Sequence, residues 1–171
     1  MLEFYPKFGF EKIKEYQYSK VVQNSDVMRA VRVPMENKSD WEMFEDVIKS
    51  SICNSSFEMV NNPGLIMFYV TKFMRDCIYY IKNQDAYVIA EVEENKLSIH
   101  NIFSKKVVDL NCVIEEFGSN IKEVTFGFTP MNTEGYILSE MDKRNTTLFV
   151  RGNGFDDFEN KGMMFPTLSH A

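Results

Sequence analysis

The sequence predicts an α+β domain, a mixed α/β arrangement in which a largely antiparallel sheet carries helices on both faces. Apolar residues recur at helical spacing in three segments, and between the second and third of these the period changes to two. Three alternating runs follow one another there with short polar turns between them, which indicates consecutive antiparallel strands. Helices and strands interleaved in this order pack naturally as helices on a mixed sheet.

The N-terminal part of the chain predicts extended structure. Residues 11–22 alternate on two sides and are typical of one strand, and residues 27–35 start a second extended segment that Pro34 limits to its end. The polar residues 24–26 separate the two, so we predict a boundary near residues 21–27. A chain of 171 residues with 44% hydrophobic side chains can bury one substantial core, and we expect one main domain.

Capping signals locate the three helices. Ser39 and Glu42 have the spacing of a capping box, which predicts a helix from Ser39 to about Ile52. Asn62-Pro63 predicts the start of a second helix, whose nearly all-apolar composition indicates burial. Asp109 is the predicted cap of a third helix. The strands predicted after the second helix are 78–81, 86–92, 96–103, 123–128, 135–141 and 146–150.

Charge, apolar runs and cysteines exclude several classes of protein. The net charge of −6 comes without any dense Lys/Arg stripe, so nucleic acid is not an expected partner. No apolar run approaches the length of about 18 to 20 residues that a membrane span needs, and we expect no membrane partner and a cytoplasmic location. Cys53, Cys77 and Cys112 are widely spaced and contain no CxxC, which predicts neither a disulfide framework nor a metal site.

Few residues have the pattern of a catalytic site. His100 and His170 lack a serine, cysteine or acidic partner at a spacing that suggests a triad or metal site, and we interpret both as structural or solvated. Glu91, Glu93 and Glu94 at a strand end are interpreted as a solvent-exposed face.

The stretch Phe4–Phe10, FYPKFGF, resembles the FYxKxGF stretch near the end of GNAT-type N-acetyltransferases. In that family it spans the last helix and its turn into a late strand, and Gly9 suits the left-handed stop of such a helix. Tyr5 then matches the family tyrosine that can protonate the departing coenzyme A thiolate, which makes it the candidate general acid. As a sequence feature alone, Tyr5 in an aromatic cluster is more simply a packing residue.

The whole chain also resembles the C-terminal part of a two-module, Bacillus-type GNAT protein. This resemblance implies a bacterial protein with a GNAT-like acyl-CoA N-acyltransferase fold. It implies that residues 1–22 are the remnant of an upstream GNAT domain and that residues 28–171 are a degenerate GNAT-like domain. Acetyl-CoA would be the cosubstrate of the intact protein. The resemblance also suggests a possible catalytic base in the terminal carboxylate of Ala171, as in some multi-domain relatives.

The equivalent of the family's cofactor loop is altered in this sequence. Active members carry Q/R-x-x-G-x-G/A before the third helix, where backbone N–H groups hold the coenzyme A pyrophosphate. Residues 99–110 contain no glycine, and Asp109 would place a negative charge at the helix end. Lys105 and Lys106 could attract an anion but are interpreted as solvated. Arg151-Gly152-Asn153-Gly154 begins like the motif, yet three acidic residues follow, and we interpret it as a turn. We therefore expect no tight acetyl-CoA binding by this chain.

Two functions follow from the resemblance. The first is enzymatic: the chain is the C-terminal portion of a GNAT-family N-acetyltransferase, inactive when isolated. The second is a non-catalytic GNAT-like module for packing, dimerisation or acceptor binding. Expected partners are the upstream GNAT domain or a second copy of the chain, since an orphaned final strand with free edges would seek pairing.

Overall fold

The computed structural model describes residues 3–23, 27–141 and 147–169, which form the predicted mixed α+β fold with a mostly antiparallel sheet. The α-helices in these residues are α1 (Lys38–Ser50), α2 (Pro63–Lys72) and α3 (Leu110–Glu116), and short 3-10 helices cover Tyr5–Phe8, Asn153–Phe155 and Thr167–Ser169. The strands are β1 (Glu11–Ile13), β2 (Tyr16–Val21), β3 (Val31–Arg32), β4 (Ile78–Ile81), β5 (Ala86–Glu93), β6 (Lys96–Phe103), β7 (Glu123–Phe126), β8 (Ile137–Glu140) and β9 (Leu148–Val150).

Seven of these strands form the main sheet, in the order β3-β4-β5-β6-β7-β2-β8. Its neighbours pair antiparallel except β6 and β7, which run parallel because the chain crosses from one to the other through α3. The remaining strands, β1 and β9, pair antiparallel in a separate two-stranded sheet.

Helices cover both faces of the main sheet, as predicted. Along β5, Val88 and Ala90 belong to the core cluster that contains the buried face of α3, while Ile89 packs in the cluster of α1 and α2. Because successive side chains of a strand point to opposite faces, this division follows from the alternation of the sequence.

The first helix begins before the predicted capping box. Asn37 is the N-cap of α1, and Asp40 Oδ2 accepts from the backbone N–H of Asn37 at 2.8 Å. Ser39, the predicted cap, already lies inside the helix. The capping box that forms is Asn37 with Asp40, two residues before the predicted pair, and the Asp40 carboxylate reaches back to the backbone of Asn37.

The predicted start of α2 at Asn62-Pro63 is confirmed, but the predicted burial of this helix is wrong for one side. Ile66 and Val70 are buried, whereas Phe68 is 49% exposed. The helix lies on the sheet through one stripe, so composition alone overstated how much of it the core covers.

Residues 11–22 form two strands instead of the one predicted. The chain leaves the small sheet after Ile13 and enters the main sheet at Tyr16. Between them the backbone N–H of Lys14 donates to Glu159 Oε1 at 2.7 Å, and the buried Glu15 side chain accepts from the N–H of Phe165 at 2.8 Å. These distant partners hold the backbone at the point where it changes sheets.

The strand β2 lies between β7 and β8, hydrogen-bonded to both. The prediction of free edges is therefore wrong for residues 16–21, because both edges of β2 are paired, whereas β1 pairs with β9 on one side. The division into a remnant at 1–22 and a module at 28–171 stays a prediction, and β2 of the first segment lies inside the main sheet in this arrangement.

Candidate functional site

The candidate site lies where the parallel strands β6 and β7 part. Their pairing runs from Lys96 opposite Glu123 to Ile99 opposite Phe126, and the Gly127 N–H donates to the Ile99 carbonyl at 2.7 Å. Beyond that bond β6 continues to Phe103, while β7 has ended. A gap between two strands of one sheet exposes backbone groups, so something has to fill it.

Residues 163–169, which we name the C-terminal strap, fill this gap. Thr167 donates its backbone N–H to the Gly127 carbonyl at 2.8 Å, and the Met164 N–H donates to Thr129 Oγ1 at 3.0 Å. Met164 and Leu168 are 0% and 1% exposed. The strap is therefore part of the core as well as a cover for the end of β7.

His100 has the acidic and hydroxyl partners that sequence spacing did not suggest. Its Nε2 lies 2.9 Å from Glu91 Oε2, and its Nδ1 lies 3.2 Å from Thr167 Oγ1. The interpretation of His100 as a structural residue agrees with these contacts, although the spacing in the sequence did not reveal its partners. The interpretation of Glu91 as only solvent-facing is wrong, because its carboxylate bonds to His100. His170 lies outside the described residues.

The geometry makes His100 a clamp on the strap. A carboxylate on one ring nitrogen and a hydroxyl on the other resemble the order of a nucleophilic triad. However, the Thr167 hydroxyl packs against Gly127 so closely that an added Cβ there would collide with it. A nucleophile needs open space for a substrate carbonyl, and this oxygen faces protein. The three side chains hold β5, β6 and the strap together.

Backbone N–H groups of the loop before α3 donate hydrogen bonds to side chains of the protein. The N–H of Lys106 donates to Ser104 Oγ at 3.3 Å, that of Val108 to Asn54 Oδ1 at 3.0 Å, and that of Asp109 to Gln84 Oε1 at 3.2 Å. These acceptors come from the loop itself, from the α1–α2 connection and from the β4–β5 turn. Three donors of the kind that a phosphate cradle needs are therefore bonded to protein.

The start of α3 is capped in the same way. Asp109 Oδ1 accepts from the N–H groups of Asn111 at 2.9 Å and Cys112 at 3.4 Å, which confirms Asp109 as the helix cap. The carboxylate thus takes up two backbone N–H groups at the start of α3. Lys105 and Lys106 are exposed beside it. The residues of this loop do not fit the pyrophosphate of acetyl-CoA.

A cavity of about 330 Å³ adjoins the same helix start. Its wall contains the carboxyl groups of Asp109 and Glu134 and the ring of Tyr136, without a lysine or arginine. Burial, and then the charge of Asp109, raises the pKa of the Tyr136 hydroxyl. The two carboxylates disfavour a phosphate group, whereas Lys20, whose Nζ bonds to the lining residue Asn111 at 2.7 Å, places a positive charge beside the cavity.

Tyr5 lies in a different part of the fold. Its ring centre lies 4.9 Å from that of Phe149 in β9. The rings of Phe4 and Phe10 meet it edge-on, with centre-to-centre distances of 5.8 and 5.9 Å. Gly9, at a φ of 75°, ends the 3-10 helix in the left-handed conformation that its sequence position predicted. Tyr5 belongs to an aromatic cluster at the small sheet, whereas the loop before α3 belongs to the main sheet.

The two remaining candidates from the sequence are the stretch 151–154 and the terminal Ala171. Gly152 has a φ of 104° and leads into the 3-10 helix Asn153–Phe155, so Arg151-Gly152-Asn153-Gly154 is a turn, as interpreted. Asp156 and Glu159 beside it line a cavity of about 560 Å³ together with Glu11. Ala171, the candidate base, lies outside the described residues.

None of these cavities was predicted from the sequence. A third one measures about 650 Å³ and lies between the end of α1 and the start of α2, over the apolar side chains of Ile48 and Ile66. Cys53 and Glu58 stand at its wall. Burial, followed by a hydrogen bond with Glu58, raises the pKa of the Cys53 thiol. The sequence signal for it was the long connection between two helices, which often shapes a binding surface.

Comparison with known proteins finds similarity among solved structures. No family model and no curated protein matches the chain. Among solved structures, it is similar to a protein from Enterococcus faecalis V583 described as a conserved protein of unknown function and "Probable N-Acyltransferase". The identity is 12% and the TM-score 0.43, over 88% of this chain and 41% of the other. The chain thus spans less than half the length of that protein.

A helix that crosses a membrane needs about 20 mostly apolar residues, and α1, α2 and α3 are shorter than this. Within residues 3–23, 27–141 and 147–169, none combines the length and the apolar character that a transmembrane helix requires.

Proposed function

We propose that this chain is the C-terminal portion of a GNAT-type N-acetyltransferase and that it forms a non-catalytic, GNAT-like module of that enzyme. Acetyl transfer from acetyl-CoA to an amine then belongs to a domain upstream of it in the intact protein. Residues 1–22 correspond to the closing segment of that upstream domain and residues 28–171 to the module, and the strand β2 of the first segment pairs with β7 and β8 of the module.

The order of elements around α3 supports this proposal. In the resembled family the cofactor is held between a strand and the helix that follows it, and here β6, the loop and α3 follow in that order. The parallel pairing of β6 with β7 brings the return strand back beside the departure strand. The chain therefore has the framework of such a site.

The non-catalytic part of the proposal rests on the loop before α3, whose backbone N–H groups already have acceptors within the protein. Backbone N–H groups of Lys106, Val108 and Asp109 are bonded to protein side chains, and Asp109 caps the helix with its own carboxylate. A pyrophosphate would have to break these bonds and lie beside a like charge, so binding would lose several hydrogen bonds before gaining any. The chain is accordingly a poor receptor for acetyl-CoA.

The C-terminal strap supports the same conclusion from the face of the main sheet opposite α3. It fills the space in which β6 and β7 part, with Leu168 buried against Phe44 and Val70. A cofactor arm entering this gap would have to displace a buried leucine. Loop and strap therefore close both approaches to the family's cofactor position.

Tyr5 has a role only in the intact protein under this proposal. As the family's general acid it would protonate the thiolate of coenzyme A in the upstream domain, while in this chain it packs on Phe149. Phe4 and Phe8 beside it are 57% and 53% exposed. Exposed aromatic groups of this kind suit a contact with a neighbouring domain.

Calorimetry with acetyl-CoA tests the proposal. Residues 1–171 are expected to give no binding heat, whereas the intact protein binds; micromolar binding by residues 1–171 would overturn it. In the intact protein, K105A/K106A is the matched control, since neither lysine holds the cofactor and the Kd for acetyl-CoA stays unchanged. A tenfold weaker Kd in that variant would place a phosphate at this loop.

The Tyr5 role has its own test in the intact protein. Tyr5→Phe keeps the ring and removes the proton, so kcat is expected to fall while the Kd for acetyl-CoA stays the same. General acid catalysis contributes about 10²- to 10⁴-fold, which sets the size of the loss. An unchanged kcat would leave Tyr5 as a packing residue.

Acceptor binding is a second candidate function, favoured by the cavity between α1 and α2. Its volume suits a small ligand and Ile48 and Ile66 are apolar groups of its lining. Its lining carries two charged side chains, Lys49 and Glu58; Lys49 is paired with Glu45 at 2.7 Å, and Glu58 supplies the charge that an ammonium group needs. With 1,4-diaminobutane as probe, alkylation of Cys53 is expected to slow in the wild type but not in Glu58→Gln. If millimolar diamine leaves the alkylation rate of the wild type unchanged, the cavity does not bind an amine of this kind.

A further inference from the structure

Residues 167–169, which we name the strap end, contact residues that line the cavity between α1 and α2. The Asn62 side chain, part of this lining, donates through Nδ2 to Ser169 Oγ at 2.9 Å. Ile48 and Ile66, two apolar residues of the lining, belong to the same buried cluster as Leu168. One polar and one apolar contact thus join the strap end to the cavity wall.

Asn62 connects the strap end to the first turn of α2. It is the N-cap residue of this helix, yet its side chain makes no capping bond and is bonded to Ser169 instead. Its carbonyl accepts the Ile66 N–H at 3.2 Å, the first hydrogen bond of the helix. Ser169 is buried, so its hydroxyl reaches Asn62 only while the strap end lies against α2. The strap end therefore fixes where this helix begins.

The strap is held in two parts by different partners. Met164 and Phe165 donate their backbone N–H groups to side chains outside the strap at 3.0 and 2.8 Å. The strap end has its own contacts, since Thr167 Oγ1 lies 3.2 Å from His100 Nδ1 and Leu168 is buried among the side chains of α1 and α2. Because the partners are separate, the strap end can detach by local opening while the first part stays bonded.

We propose that the strap end regulates the cavity between α1 and α2. The cavity keeps its shape while residues 167–169 are docked, and its wall at the start of α2 loosens when they detach. Coupling between two sites is reciprocal, so a ligand that fits the docked shape also holds the strap end in place. This reciprocal effect rests on the proposed binding of an amine in the cavity, whereas the effect of the strap end on α2 needs no ligand.

Amide hydrogen exchange of residues 1–171 tests the coupling without a ligand. Ser169→Ala removes the acceptor of the Asn62 side chain, and the Ile66 amide is expected to exchange about two- to tenfold faster, as for the loss of one hydrogen bond. Thr167→Val alters no residue of the cavity wall but removes the bond to His100, and it is expected to act in the same direction. Ser169→Thr retains the hydroxyl and keeps the wild-type rate.

Val113→Ala is the matched control for these variants. Val113 is 0% exposed in the cluster of α3, on the face of the main sheet opposite α1 and α2. Its truncation lowers overall stability, whereas the Ile66 amide in a first helical turn exchanges by local opening and keeps its rate. Circular dichroism shows whether each variant is folded. Equal Ile66 exchange in Ser169→Ala and the wild type, or equal acceleration by Val113→Ala, overturns the proposal.

Addition of 1,4-diaminobutane separates this proposal from the binding of an amine. The Thr167 amide, bonded to the Gly127 carbonyl, is expected to exchange about twofold more slowly in the wild type when the diamine concentration equals its Kd. If the diamine slows alkylation of Cys53 and leaves Thr167 exchange unchanged, the reciprocal coupling is refuted. If it changes neither, amine binding fails, and the Ile66 amide of the ligand-free variants decides whether the strap end shapes the cavity.

Discussion

Truncation of Leu168 measures how much the C-terminal strap contributes to the fold. Leu168 is 1% exposed and packs with Phe44, Ile66 and Val70 from the two helices above the sheet. Leu168→Ala removes three carbon atoms, worth about 2.4 kcal/mol at about 0.8 kcal/mol for each buried methylene. The cavity left behind adds to this, so we expect a loss of about 3 to 4 kcal/mol.

Urea unfolding provides the assay, and the chain carries its own reporter. Trp41, the single tryptophan, packs against the same cluster, so its fluorescence follows the region that Leu168 occupies. A loss of this size corresponds to a fall in Tm of about 6 to 16 °C for a domain of this length. The slope of the free energy against urea is expected to stay constant, because the variant still unfolds the same surface.

Val60→Ala is the control for this measurement. Val60 is 80% exposed, so its truncation is expected to change the free energy of unfolding by less than about 0.5 kcal/mol. A loss below about 1 kcal/mol for Leu168→Ala would refute the assignment of Leu168 to the core, because truncation of a buried leucine in a packed core costs more than this. The strap would then be a loosely attached tail.

Three further predictions concern the candidate site and its surroundings. Asp109→Ala removes the cap of α3 and lowers the free energy of unfolding by about 1 kcal/mol in urea titrations. Gly127→Ala forces a Cβ against Thr167 and costs about 1 to 3 kcal/mol, whereas Gly64→Ala, with open space around it, is neutral or slightly stabilising. Burial raises the pKa of the Cys77 thiol, so iodoacetamide modifies it more slowly than free cysteine near about pH 8.5, with the rate rising at higher pH by mass spectrometry.

Local signals predicted the elements that local contacts determine. The cap of α3 depends on Asp109 and the two residues that follow it closely, so its spacing is visible in the sequence. The hairpins from β4 to β6 likewise join strands that are neighbours along the chain. For such elements the alternation of apolar residues decides register and face at once.

Contacts between distant residues explain what the sequence did not reveal. The break at Lys14-Glu15 depends on Glu159 and on the N–H of Phe165, both more than 140 positions away. His100 acquires a partner in Thr167, 67 residues later. No periodicity encodes such pairs, because they exist only once the strap has been laid across the sheet.

The position of β2 between β7 and β8 has a consequence for how the molecule is made. Residues 16–21 leave the ribosome more than 100 residues before their pairing partners at 123–126 and 137–140. Long loop closures of this kind slow folding and leave a hydrogen-bonding segment exposed in the meantime. During synthesis the segment 16–21 therefore stays unpaired until the later strands have emerged. Chaperones that recognise extended segments can bind it during that time.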